Sequence, residues 1–327
     1  MPDISEITLD MESQPPPALA PVSENGATFW SVMIPTYRPR EDYLRKTIES
    51  VLQQDRGSKE MQIEVVDDCS PDVDVEAMLK SIAGERIAFS RTSKNLGLAG
   101  CWNACVERSR GQWVHILHQD DFVLPEFYRR LQQGARLHPE VSLIATRSFF
   151  VDEDGVILRV TERLRDLENG GRDVKAFLYG NPLQCAGVAV RRTFFEANGG
   201  YNPELVYTLD LEMWTRVISM AGGLVTPEPL SCYRLSKGSE TSRLARFAED
   251  VREFDRLNQL FLERHPGFDC NKAAREICLA ALSHAERFWE NGDAEAAEAN
   301  LAYWRRNAPV SLRLHKFAGK MAKSLFR

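Results

Sequence analysis

The amino-acid sequence predicts an α/β protein with a mixed, mostly parallel sheet flanked by helices and a helical extension after it. Three observations predict this class. From residue 29 to about 137, short apolar runs alternate with stretches of helical spacing, as in strand–helix–strand crossovers. Three of those runs end in polar clusters, and open α/β sheets bind ligands beyond the carboxyl ends of their strands. After about residue 245 only helical spacing remains.

The elements follow in order. Residues 29–34 (FWSVMI) form an apolar run that stops at Pro35-Thr36-Tyr37, which reads as a buried strand ending in a turn. Leu44, Ile48, Val51 and Leu52 then sit at i, i+4, i+7 and i+8, the spacing of an amphipathic helix. Ile63, Val65 and Val66 make a second strand that runs into Asp67-Asp68-Cys69-Ser70-Pro71. A short third strand covers 87–92, and Leu98, Trp102, Cys105 and Val106 repeat the helical spacing. A fourth strand, Gln112 to Leu117, ends at His118-Gln119-Asp120-Asp121. A helix follows, with Pro125 near its start and Phe127, Leu131 and Ala135 on one face. From 141 to 236 the pattern is less regular, with strand-like stretches at 141–151 and 186–191 and a helix near 211–220. Beyond 245, Phe247, Val251, Phe254, Leu257 and Phe261 keep one helical face, as do Ala294, Ala297, Leu301 and Trp304.

Composition narrows the class. The 327 residues are 43% hydrophobic and 27% charged, which excludes disorder of the whole chain. No run reaches the ~18–20 apolar residues of a membrane span. Seven cysteines, scattered and without metal-ligand spacing, suit a reduced, cytoplasmic protein. The net charge of −6 hides an asymmetry: residues 1–27 carry five acids and no Lys or Arg, while 311–327 carry five bases and no acid. The first segment, with Pro15-Pro16-Pro17, has the composition of a disordered tail. The expected organisation is an acidic tail at 1–27, an α/β domain at 28–240, a helical region at 241–310 and a basic tail at 311–327.

Four groups of residues could carry chemistry. Asp120 and Asp121 can converge only where the strand breaks, because neighbours on a strand face opposite ways; Phe122 to Pro125 supplies the break. Carboxylates suit Mg²⁺ or Mn²⁺ shared with substrate phosphates. Acid pairs also fill turns and helix caps, and by itself this one reads more readily that way. Asp67-Asp68 fits either contact with a base or ribose or an Asx-type turn. Lys94 and Asn95 precede Gly97-Leu98-Ala99-Gly100, a glycine-containing helix start suited to phosphate but short of a dinucleotide or P-loop motif. Asp210 fits either an acid of the site or the cap of the helix that follows. His115 and His118 face opposite sides of a strand, so they are not expected to chelate together, and both read as structural.

Together, SVMIPTYRPREDYLRKTIESVLQQ, EVVDDCSPD, KNLGLAGCWNACVERSRGQWVHILHQDD, the Gly-Gly-Tyr of 199–201 and TLDLEMWTRV resemble the family 2 glycosyltransferases. These enzymes have the GT-A fold, a Rossmann-like sheet, and move a sugar from a nucleotide diphosphate. The resemblance runs in order from 29 to about 235. It implies that Pro35, Thr36 and Tyr37 hold the nucleotide base, that Asp68 contacts it with Asp67 alongside, and that Asn95 and Gly97, next to Lys94, close over the nucleotide. It implies that Asp120 contacts ribose at the acidic pair, that Asp121 coordinates a divalent cation, Mn²⁺ or Mg²⁺, and that Asp210 is the catalytic base of an inverting transfer. The implied donor is a UDP- or dTDP-sugar. The implied acceptor is a glycan or lipid-linked glycan in lipopolysaccharide, capsule or other surface-polysaccharide synthesis.

Departures from the family pattern are local. Cys69 stands where many members have Gly, Trp102 where many have Arg, and Ser236 where many have His. The QxxRW motif of processive synthases is absent, so transfer of a single sugar is expected. The rival readings are an inactive nucleotide-sugar-binding module, against which Asp120, Asp121 and Asp210 count together, and a nucleotidyltransferase, whose GGxGTRL-type loop is missing. The acidic balance gives nucleic-acid binding no support. The basic tail, with Leu314, Phe317, Met321 and Leu325 on one helical face, suits either a packed terminal helix or peripheral contact with an anionic membrane surface.

Overall fold

A computed structural model describes residues 20, 28–236, 240–264, 269–310, 312 and 313. The expected acidic tail lies outside them apart from Ala20, and the expected basic tail apart from Leu312 and Arg313. The described residues cluster into two compact units. One holds those up to Asp173 together with Pro182–Leu235, and the other holds Val174–Asn181 and those from Ser236 onward.

The first unit begins with β1 (Trp30–Thr36), α1 (Glu41–Leu52), β2 (Met61–Asp67), α2 (Val75–Ala83), β3 (Ala88–Arg91), α3 (Gly97–Arg108) and β4 (Trp113–Ile116). It continues through β5 (Phe122–Val123), α4 (Phe127–Leu137), β6 (Leu143–Val151), β7 (Ile157–Val160), β8 (Val188–Arg191), α5 (Arg192–Asn198), α6 (Leu209–Ala221) and β9 (Gly223–Arg234). The nine strands form one sheet in the order β3-β2-β1-β4-β8-β6-β9-β5, with β7 added on β6. The first four are mutually parallel; β8 is antiparallel to both β4 and β6, and β9 returns parallel to β6.

Period-2 alternation explains how the sheet is covered. Trp30, Val32 and Ile34 of β1 share one core with Leu44, Ile48 and Val51 of α1, Val75 and Leu79 of α2, and Phe127 and Leu131 of α4. Each such fully buried aliphatic side chain stabilises the fold by about 1.5–3 kcal/mol. Helix α3 packs elsewhere on β1 and β2, where the Cys101 thiol lies 3.7 Å from the Val66 carbonyl.

Several elements lie beyond the sequence expectation. Helix α2 starts at Asp74, whose carboxylate accepts from Ala77 N, and its Val75, Leu79 and Ile82 do have helical spacing. Strand β9 was hidden by Pro227 and Pro229, residues that central strands normally exclude. Here the β6–β9 register shifts on both sides of Arg147, opposite these prolines, so the ladder bends around the missing N–H groups. The short strands β5 and β7 and the helix α5 are also additional.

The second unit contains α7 (Glu240–Arg246), α8 (Glu249–Arg264), α9 (Cys270–Glu290) and α10 (Ala294–Asn307). Helices α9 and α10 are each capped by an aspartate, Asp269 accepting from Lys272 N and Asp293 from Ala296 N. Val251, Ile277, Ala281 and Tyr303 form its core. Among the described residues no helix is long and apolar enough to cross a membrane.

Candidate active site

The carboxyl ends of β1, β2 and β4 bring three loops together, and hydrogen bonds tie them to each other. Beyond β1, Gln119 grips the Tyr37 backbone from both sides: Tyr37 N donates to Gln119 Oε1 at 2.9 Å and Gln119 Nε2 donates to Tyr37 O at 3.1 Å. Next to it, Arg38 N donates to Ser70 Oγ at 2.8 Å. Arg38 and Cys69 have φ of 47° and 59°, left-handed backbone that costs a side-chain-bearing residue about 1–2 kcal/mol. A glycine in place of Cys69 would take up that conformation freely. Pro35 and Thr36 are buried within the end of β1, and the Tyr37 ring is exposed.

The two acids after β2 have separate tasks. Asp67 is fully buried; it accepts from Ser70 Oγ at 2.5 Å and Ser70 N at 3.1 Å, and Arg91 lies 3.4 Å away. It therefore holds the turn. Asp68 reaches the start of α3, where its carboxylate accepts from Leu96 N at 2.8 Å, Gly97 N at 3.0 Å and Thr92 Oγ1 at 3.0 Å. Gly97 has φ of 72°, a conformation that glycine adopts without strain. Asn95 Oδ1 also accepts from Gly97 N, while the side chain of Lys94 is exposed on the same loop.

At the end of β4 the side chains of His118, Asp120 and Asp121 place one ligand atom each within 4.8 Å of one another. Asp121 is 1% exposed. Its Oδ1 accepts from Arg234 N at 2.8 Å, whereas Oδ2 has no hydrogen-bond partner and lies 3.6 Å from His118 Nδ1. His118 Nε2 is likewise buried and unpartnered. An orphaned carboxylate oxygen and imidazole nitrogen facing a second carboxylate fit a divalent cation, since buried polar atoms are otherwise satisfied.

Charge follows the same geometry. Burial, reinforced by the charge of Asp121, pushes the Asp120 carboxyl up to about 6. Burial disfavours a charged His118, yet the neighbouring Asp121, helped by Asp120 and Asp210, holds its pKa above the ordinary value. Asp210 thus lies close enough for its charge to act on His118, and also on Cys185 and Tyr201. It sits in the first turn of α6, with Oδ1 accepting from Leu211 N at 2.6 Å.

His118 lies past the end of β4, so strand alternation does not govern it. His115, by contrast, is on the strand and turned away. A carbonyl only accepts, so His115 Nε2 donates to Ala186 O at 3.2 Å and Nδ1 accepts from Tyr128 Oη at 3.1 Å. The two histidines do not share a site.

Three positioning residues escaped the sequence reading. Arg234, at the end of β9, donates to the carbonyls of Asp120 (2.9 Å), Asp152 (3.1 Å) and Glu153 (2.7 Å) and lies over the Tyr43 ring. Arg216 of α6 donates to the carbonyls of Asn198 and Gly200, each at 2.7 Å. Asn103 of α3 exchanges two hydrogen bonds with the Tyr201 backbone, at 2.9 and 2.7 Å. Their partners lie 16 to 114 positions away in the chain, so only His118, two residues before the acid pair, carried a local signal.

Comparison with known proteins agrees with this fold. The sequence profile of Glycosyl transferase family 2 matches residues 31–198. The amylovoran biosynthesis glycosyltransferase AmsE of Erwinia amylovora is 28% identical over 199 residues, 59% of this chain and 70% of that protein. Among solved structures, the mannosyltransferase PcManGT from Pyrobaculum calidifontis, in complex with GDP-Man and Mn²⁺, superposes with a TM-score of 0.56 at 16% identity, covering 95% of this chain and 84% of that one. Residues 1–349 of S. aureus TarS, in complex with UDP-GlcNAc, give a TM-score of 0.51 at 16% identity over 85% of this chain and 92% of that one. At these identities the structures show a common GT-A-type fold.

Proposed function

This chain belongs to glycosyl transferase family 2 and is a glycosyltransferase; from that premise we propose an inverting enzyme that moves one sugar from a UDP- or dTDP-sugar to a glycan or lipid-linked glycan. The observation that carries the reading is the unpartnered Asp121 oxygen, grouped with His118 and Asp120 where the charge of Asp210 also reaches.

In this reading Asp210 accepts the proton of the acceptor hydroxyl as its oxygen attacks the anomeric carbon. The new C–O bond forms on one face while the bond to the nucleotide diphosphate breaks on the other. Thr36, Tyr37 and Asp68 line the nucleotide side, and Lys94 stands ready for a phosphate on the loop before α3. Asp121, Asp120 and His118 would hold a divalent cation, which when bound offsets the charge growing on the departing diphosphate. Loops already bonded to one another have little freedom to lose when the donor arrives.

The acceptor class rests on kinship. AmsE is named for the biosynthesis of a polysaccharide, which supports a surface polysaccharide, lipopolysaccharide or capsule, as the product here. A cytoplasmic enzyme resting on the membrane through its basic tail would meet such an acceptor on a lipid carrier.

Calorimetric titration with UDP, dTDP, GDP and their sugars, with Mn²⁺, with Mg²⁺ and with chelator, tests the proposal. One nucleotide should bind at least about tenfold more weakly in chelator, and Asp121→Ala should remove that difference. Binding indifferent to both changes would rule out the cation site.

A further inference from the structure

Helix α1 carries a row of polar side chains on a face that the fold covers. Tyr43, Thr47, Ser50 and Gln54 recur at i, i+4, i+7 and i+11, one helical face continued into the turn after Leu52. Thr47 is fully buried and Ser50 nearly so. Buried hydroxyls need partners, and this row finds them in the backbone at and after the acid pair. Thr47 Oγ1 donates to Asp121 O at 2.6 Å, Ser50 Oγ accepts from Val123 N at 3.2 Å, and Gln54 Nε2 donates to Leu124 O at 3.0 Å. Gln54 Oε1 also accepts from Tyr128 N at 3.3 Å. The Tyr43 ring lies against the Arg234 guanidinium, which donates to Asp120 O. Helix and loop thus run in step, from Tyr43 at Asp120 to Gln54 at Tyr128.

The sheet alone gives this segment little support. Strand β5 is two residues long, ends the sheet and pairs only with β9 among the described residues. On its other side, α1 side chains take backbone groups that a neighbouring strand would otherwise take.

Asp121 is held at three points. Its N donates to His118 O at 3.2 Å, and its Oδ1 accepts from Arg234 N at 2.8 Å. Thr47 supplies the third. A hydroxyl has one proton to give, and Asp121 O at 2.6 Å is nearer to Thr47 Oγ1 than Tyr43 O at 3.1 Å. Of the polar groups of Asp121, this leaves Oδ2, the orphaned oxygen beside His118.

We propose that Thr47 is a positioning residue for the cation site, fixing through the Asp121 carbonyl the backbone from which Oδ2 projects. The inference rests on the reading of Asp121 as a cation ligand. An oxygen already held in place has little freedom to lose when an ion binds, and the groups that orient a ligating carboxylate are worth about 10–100-fold in metal affinity.

Titration of the full chain with Mn²⁺ alone, followed by electron paramagnetic resonance, tests the inference, with thermal unfolding measured alongside. Asp121→Ala should weaken Mn²⁺ binding; equal binding by wild type and Asp121→Ala would remove the cation reading itself, and this inference with it. Thr47→Val keeps the shape of the side chain but not its proton, and should weaken Mn²⁺ binding about 10–100-fold. Thr47→Ser gives up a buried methyl group, and stability with it, yet keeps the hydroxyl; it should bind Mn²⁺ as wild type does. A merely structural Thr47 would instead make Mn²⁺ affinity follow the melting temperature through both variants. Wild-type affinity in Thr47→Val, while Asp121→Ala is impaired, overturns the proposal, and so does a Thr47→Ser as weak as Thr47→Val. Gln54→Met, at the half-buried end of the row, keeps the test decisive if Thr47→Val does not fold. It should weaken Mn²⁺ about fivefold, and wild-type affinity there overturns the proposal.

Discussion

On the parallel side of the sheet, β3, β2, β1 and β4 follow one another through helical crossovers. The loops at their carboxyl ends hold each other through contacts such as Gln119 with Tyr37 and Ser70 with Arg38. On the mixed side the ties are single arginines: Arg234, at the end of β9, beneath the acid pair and Arg216 of α6 around the Gly-Gly turn. The side proposed to bind nucleotide is thus a mesh of many short ties, while the side proposed to be catalytic hangs on a few long-range ones. Damage to the mesh should be partial, and damage to a long-range tie should be severe.

The largest effect separates chemistry from binding. Asp210→Asn should lower turnover by about 10²–10⁴-fold while calorimetric donor affinity stays at the wild-type value; turnover near wild type would end the assignment of Asp210 as base. Next comes the long-range tie. Arg234→Met removes three carbonyl contacts but keeps the backbone donation to Asp121, and should weaken Mn²⁺-dependent nucleotide binding about 10–100-fold, with binding in chelator unchanged. If Arg234→Met binds like wild type, the acid pair is held from its own side of the sheet.

The seam between the two sides can be read by acid. His115 sits on β4, which pairs β1 on one edge and β8 on the other. Burial depresses its pKa to about 3. The unfolded chain therefore takes up a proton below the ordinary imidazole value that the folded chain refuses. The contribution of His115 to stability should fall by about 1.4 kcal/mol per pH unit as pH drops below about 6.5, levelling near 3, against the opposite contributions of Asp120 and His118. In urea titrations at pH 7.5, 6 and 5, the difference in stability between the wild type and His115→Gln should show this slope. The smallest effect belongs to the mesh: Gln119→Ala gives up two contacts to an exposed backbone, and donor KM should rise only about fivefold, equivalent to ~1 kcal/mol.

The same division governs what the sequence revealed. The parallel side was legible because its signals are local: apolar runs of strand length, helical spacing between them, and polar clusters where each run stops. Of the acids singled out there, Asp67 and Asp68 sit at the end of β2, and Asp120 and Asp121 at the end of β4. The mixed side was legible in part: the stretches at 141–151 and 186–191 and the helix near 211–220 correspond to β6, β8 and α6. Two prolines masked β9, whose ladder bends around them at Arg147. The partners of Arg234 are set by tertiary packing, which no short window of residues contains. His118 was set aside by an alternation rule that stops at Ile116, where the strand ends.

One carboxylate links the two faces mechanically. Asp68, assigned to the nucleotide side, is also the anchor from which α3 hangs, through Leu96 N and Gly97 N. Farther along that helix the Trp102 ring rests 4.9 Å from the His118 ring, so α3 acts as a beam with one end at the Asp68 loop and its midpoint on the imidazole beside the acids. A substitution at Asp68 therefore cannot be interpreted as the loss of a base contact alone. Asp68→Ala releases the beam, whereas Asp68→Asn keeps a carbonyl oxygen for one of the two amides, and the gap between the two variants measures how much of the acid pair's alignment is carried by the helix.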